Sequence, residues 1–144
     1  MPDLDPAALT SVMEQFTRMF IRLPAVQQRS FTTLSVLHTL AGRGPQRLSA
    51  LTAGEQVTQP AITQIVAKLE RDGLVARGPD PSDGRAVLVR ITPRGAATVA
   101  SRRTARVARM AELVALLEPE HRTALTAALP ALARLAELDD ERSR

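Results

Sequence analysis

The chain of 144 residues has no cysteine, tryptophan or tyrosine. Without cysteine there are no disulfides, no thiolate metal sites and no thiol redox chemistry. Aromatic residues amount to Phe16, Phe20 and Phe31, so the core has to be packed from the leucine, valine, isoleucine and alanine that dominate the 44% hydrophobic content. That palette favours helices. The two histidines, His38 and His121, have no cysteine to join them, and a metal site needs three or four convergent ligands, so no metal or other cofactor is expected. No serine, histidine and acid grouping, glycine-rich phosphate loop or informatively spaced carboxylate pair occurs along the chain, which argues against an enzyme. No apolar run approaches the roughly 20 residues that span a bilayer. The acidic opening Met-Pro-Asp-Leu-Asp-Pro lacks the layout of a secretion signal, so a soluble cytoplasmic protein with no membrane partner is expected.

The net charge of +4 is unevenly distributed. Residues 42–106 hold eleven basic and five acidic side chains, whereas residues 107–144 hold five and seven. A basic middle suits a polyanion, although a solvated arginine-rich surface reads the same way on charge alone.

Apolar residues spaced three and four apart predict a helix over residues 4–22, limited by Pro24. Ser30 caps a second helix that ends at Gly42-Arg43-Gly44-Pro45. A short segment at 49–52 and a bend near Gly54 follow, then a helix capped by Thr58 with Pro60 in its first turn, running to Arg71. After Gly73 the period changes. Residues 74–77 and 86–91 read as strands, and the turn formers of 78–85 as a long polar hairpin tip. Thr92-Pro93 starts a long helix and Pro119 a last one, in which Pro130 predicts a kink.

On the helix from Thr58, residues Ile62, Ile65, Val66 and Leu69 share one stripe that must face a core. The opposite side offers Pro60, Thr63, Gln64, Ala67 and Arg71, flanked by Gln59 and Lys68, with no acid before Glu70. Amide and hydroxyl groups suit base edges, Lys68 suits a phosphate, and the helix N-terminus adds free amides. Any solvated amphipathic helix would look much the same. The hairpin just downstream, with Arg77, Arg85 and Arg90, turns the pattern into a winged helix-turn-helix, in which the helix enters the major groove. An arginine at the hairpin tip then reaches the adjacent minor groove.

These residues resemble the MarR family of bacterial regulators over about residues 30–138. The likeness is carried by Thr58-Gln59-Pro60-Ala61-Ile62-Thr63-Gln64-Ile65-Val66, by Leu69-Glu70-Arg71-Asp72-Gly73-Leu74-Val75 and by Pro79-Asp80-Pro81-Ser82-Asp83-Gly84-Arg85 leading into Ile91-Thr92-Pro93-Arg94-Gly95. The resemblance implies that the helix from Thr58 reads the major groove, that Arg85 probes the minor groove, and that Asp83 helps hold it. It also implies a dimer interface made by the first, penultimate and last helices. Members often carry a second arginine where this chain has Gly84, which predicts a weaker or more pliable tip. Thr52, Gly54, Glu55 and Gln56 replace the usual small apolar residues before the reading helix, so that turn is not carried over.

The fold class is therefore mainly α with a small β-hairpin wing. One domain, 1–144, comprises a DNA-binding part (30–92) and a helical dimerisation part (1–29 and 93–144). The expected function is sequence-specific regulation of transcription, as a repressor, by a homodimer on a pseudo-palindromic site in double-stranded DNA. Leucines at 113, 116, 117, 125, 129, 132 and 135 supply apolar surface for the pairing, unless they pack against the first helix of the same chain. Met13, Phe16, Met19, Phe20 and Phe31 are candidates to line a cleft for a small lipophilic or aromatic effector, and equally candidates for plain core. A protein-protein adaptor is the alternative. It would place acidic or bulky apolar residues on the outward face of the reading helix, and the sequence has none there.

Overall fold

The computed structural model describes residues 3–22 and 29–142; Pro24, expected to limit the first helix, lies outside them. The chain forms two compact units, Met1–Arg106 and Val107–Arg144.

In the first unit, α1 spans Pro6–Arg22 and α2 Phe31–Arg43. Ser30 caps α2 by accepting the Thr33 backbone N–H at 3.2 Å, and Gly44 leaves the helix at φ 80°. A two-residue strand, β1 (Gln46–Arg47), leads into α3 (Leu48–Glu55), then α4 (Gln59–Arg71). The hairpin is β2 (Val75–Asp80) and β3 (Asp83–Ile91), followed by α5, Pro93–Ala115. The sheet order is β1-β3-β2, antiparallel throughout.

Packing follows the apolar stripes. Val36, Leu37 and Leu40 of α2, Leu51 of α3, and Ile62, Val66 and Leu69 of α4 meet Leu74, Val75 and Val89 at the hairpin base, each almost wholly buried. A fully buried aliphatic side chain contributes about 1.5–3 kcal/mol, and this cluster joins every element around α4. Gly95, in the first turn of α5, lies so close to the hairpin base that a Cβ there would sit 2.1 Å from the Leu74 carbonyl oxygen.

Three sequence expectations change. β1 was not foreseen. The bend expected near Gly54 falls two residues on, at Gln56, in the left-handed region at φ 52° and ψ 39°, and Gly54 itself stays helical. The hairpin tip is not long: the strands run on to Asp80 and Asp83 and leave only Pro81-Ser82 between them. One Asp80 carboxylate oxygen accepts the backbone N–H of Ser82 at 2.9 Å and its hydroxyl at 2.7 Å. The other accepts Nε and Nη2 of Arg47, at 2.7 and 2.6 Å. Those four bonds close the turn tightly. Pro79 is tolerated because β2 is an edge strand.

The second unit holds the end of α5 and α6 (Pro119–Arg142). Leu116 and Leu117 close the connection through backbone bonds to Leu113 and Val114. Pro130 lies inside α6, which continues to Arg142, and no residue of α6 is buried.

Candidate nucleic-acid interface

α4 is fixed at both ends by its own sequence. Thr58, extended at φ −70° and ψ 153°, accepts the Ala61 N–H through its hydroxyl at 3.3 Å, and Pro60 occupies the first turn. At the other end Gly73 takes φ 74° and turns the chain into β2. The Thr92 hydroxyl donates to the Gly73 carbonyl at 2.6 Å and accepts the Gly95 N–H at 3.1 Å, so one side chain caps α5 and fastens it to the end of α4. Arg29 pairs with Asp72 at 2.7 Å, and that bond holds the Asp72 carboxyl below its ordinary value.

With Ile62, Val66 and Leu69 buried, the opposite face of α4 is turned outward. Thr58, Gln59, Pro60, Thr63, Gln64 and Lys68 are all exposed on it. The Thr63 hydroxyl donates to the Gln59 carbonyl at 2.9 Å, which leaves its oxygen free to accept and its methyl to make apolar contact. Gln64, Ala67, Lys68, Glu70 and Arg71 line an open cleft of about 670 Å³ with Arg77 of β2. Arg77 is not a free cation there: its Nε donates to Glu70 at 2.6 Å.

Asp83 and Arg85 stand on β3 at the hairpin tip, both exposed. Asp83 accepts the Arg85 backbone N–H at 3.1 Å and so braces the main chain rather than the guanidinium. Pairing jumps from Pro79↔Val87 to Asp80↔Asp83, so Gly84, Arg85 and Ala86 have no cross-strand partner. The irregularity pushes Arg85 out of the ladder.

The other candidate group lies on α1 and at the start of α2. Met13, Phe16, Phe20 and Phe31 are exposed and Met19 is half-buried. Sequence reasoning missed Arg47 and Asp80, which fix the turn below Arg85. No local signal marks Arg47, because its partner lies 33 residues away.

A short helix, a turn, an outward polar helix and an arginine-bearing hairpin on a three-stranded sheet define a winged helix-turn-helix protein. The MarR family model matches residues 30–87. The HTH-type transcriptional regulator Mb0904 of Mycobacterium bovis is 40% identical over 99 residues, 69% of each chain. This chain belongs to the MarR family of transcriptional regulators, which are DNA-binding proteins and not enzymes. Among solved structures, RV1404 of Mycobacterium tuberculosis superposes with a TM-score of 0.77 at 23% identity, covering 93% of this chain and 96% of that one. NadR in complex with 4-hydroxyphenylacetate shares the fold at a TM-score of 0.62 and 22% identity, covering 92% and 98%. No helix among the described residues is long and apolar enough to cross a membrane.

Proposed function

We propose that the protein is a homodimeric repressor that binds a pseudo-palindromic operator and releases it when a small effector binds. In this reading residues 30–92 read DNA, and residues 1–29 with 93–144 hold the dimer. The observation that carries it is the outward face of α4 and its cap: six exposed residues free of acids, from Thr58 to Lys68, on a helix beside an arginine-bearing hairpin. Gln59, Thr63 and Gln64 take base edges in the major groove, while Lys68 and the α4 amides take phosphates. Arg85 enters the minor groove, its backbone braced by Asp83.

Dimerisation is supported by apolar surface that one chain leaves open. α1 exposes Val12, Met13, Phe16, Phe20 and Ile21, and α6 exposes Leu125, Leu129, Leu135 and Leu138. A single reading unit covers too few base pairs to discriminate among genomic sites, and two related by symmetry read both halves of a palindrome. The effector reading draws on the family fold, in which NadR holds 4-hydroxyphenylacetate, and on the Met13, Phe16, Met19, Phe20 and Phe31 group.

Selection of bound sequences from random duplex DNA at fixed salt tests binding, palindromy and half-site spacing together. The expected result is an inverted repeat with centres about one helical turn apart. With that site in hand, Arg85→Ala weakens binding to every sequence, whereas Gln64→Ala costs about 1–3 kcal/mol per half-site and relaxes preference at one base pair. Equal affinity of both variants for all sequences would refute these roles.

A further inference from the structure

Glu70 is the sole acid of α4, and it borders the cleft between that helix and the hairpin, beside a face assigned above to a polyanion. Its carboxylate accepts Nε of Arg77, on β2, at 2.6 Å, with the Glu70 side chain 36% and the Arg77 side chain 41% exposed. An ion pair so open to water adds little to stability. Holding the fold together is a weak reason for an acid at this place.

The bond occupies one nitrogen of the guanidinium. Among the described residues Nη1 and Nη2 of Arg77 make no hydrogen bond, so the fork that matches two oxygens of a phosphate is left open. Arg77 lies opposite Val89 in the antiparallel ladder and leaves the hairpin on the same side, the side whose Val75 and Val89 pack in the core with α4. An untethered arginine samples many rotamers, and ordering it on a ligand costs entropy. Tied at Nε to Glu70, this one already stands against the cleft that Gln64, Ala67, Lys68 and Arg71 line from α4.

In the proposed complex α4 occupies a major groove and Arg85 the adjacent minor groove. One sugar-phosphate strand parts those grooves, and it has to pass between helix and hairpin, over this cleft. We propose that Arg77 grips a phosphodiester of that strand through Nη1 and Nη2, and that Glu70 is the positioning residue that aims it. The inference rests on the DNA reading above and adds to it two residues that lie off the open face of α4. It also carries a sign that charge counting reverses. Removing an acid from a surface that meets DNA ordinarily tightens binding, whereas truncating this one weakens it, because the fork it aims is released.

The test uses the full chain and the selected duplex, with affinity measured over a range of salt concentrations. Arg77→Ala lowers affinity by about tenfold per half-site and reduces the slope of log affinity against log salt by about one per half-site. Arg77→Lys keeps the slope and still loses most of that affinity, since an ammonium offers no planar fork. Glu70→Ala weakens binding. Glu70→Gln, which keeps an acceptor for Nε and sheds the charge, restores it. Thermal unfolding of all four variants near the wild-type Tm separates loss of grip from loss of fold. A neutral methylphosphonate placed at each phosphate of the half-site in turn locates the contact. One position, between the base pair governed by Gln64 and the minor-groove step entered by Arg85, weakens wild type and leaves Arg77→Ala unmoved. Tighter binding by both Glu70 variants would reduce the acid to a repulsive charge and overturn its positioning role. Matching methylphosphonate profiles for wild type and Arg77→Ala, or lost base preference in Arg77→Ala with no phosphate effect, would overturn the grip on the backbone. A wild-type protein that selects no duplex would overturn the DNA reading and this inference with it, whereas firm wild-type binding with Arg77 silent removes the inference alone.

Discussion

Asp80 shows how one side chain can shape a hairpin. Its carboxyl is held down to about 2 by the Ser82 backbone and hydroxyl bonds first and by Arg47 after them. A carboxyl whose folded value lies below its unfolded 3.8 adds stability above pH 4, and that stability is lost as the pH falls toward 2. Asp80→Asn is therefore less stable than wild type at neutral pH, and the difference in Tm shrinks as the pH is lowered across that window. At Gly95 steric contact decides. A methyl group there overlaps the Leu74 carbonyl and the Ile91 side chain, so Gly95→Ala is expected to cost about 3 kcal/mol or more, measured by urea unfolding. Roles set by local chemistry, such as the Ser30 and Thr58 caps, were legible in the sequence because the bonded atoms lie three residues apart. The Arg47–Asp80 pair was not, because it depends on which distant segment the fold brings near.

At the scale of elements, α4 joins a buried stripe and an open face in thirteen residues, with its cap Thr58 just before them. Thr58→Ala removes the cap and costs about 1 kcal/mol, while Ile62→Ala empties a site with no exposure and costs about 2–5 kcal/mol. Circular dichroism during denaturant titration separates the two by size. Lys68 belongs to the open face, so Lys68→Ala leaves stability unchanged and reduces the salt dependence of DNA binding by about one counterion. The helices were legible because period and caps agreed. The sheet was less so. β1 is two residues long and has no period of its own, and Gly78-Pro79-Asp80 reads as turn chemistry until the edge position of β2 is known.

At the scale of the whole molecule, α1 and α6 leave large apolar side chains open to solvent. None of the 24 residues of α6 is buried, and Leu129 at 61% exposed and Leu135 at 48% put apolar surface in contact with water. Leu129→Asp combined with Leu135→Asp is expected to shift the protein toward monomer in analytical ultracentrifugation and to weaken operator binding more than any single change on α4. An unaltered sedimentation profile would count against the proposed pairing through α6. Family membership was readable from blocks within residues 58–95, and the expected pairing leaned largely on that resemblance, because side-chain periodicity is a weaker signal in a chain so rich in leucine and alanine.

Arg47 sits where β1 meets α3, and its partner Asp80 sits at the far end of β2. The ribbon is thus strapped to the frame that carries α4 and does not swing from its base alone. In the proposed complex with DNA such a fork would act like a caliper with a preset opening. A duplex whose groove spacing differs from that opening would then have to deform to be gripped, and sequences that resist bending would be passed over even where every base edge matches.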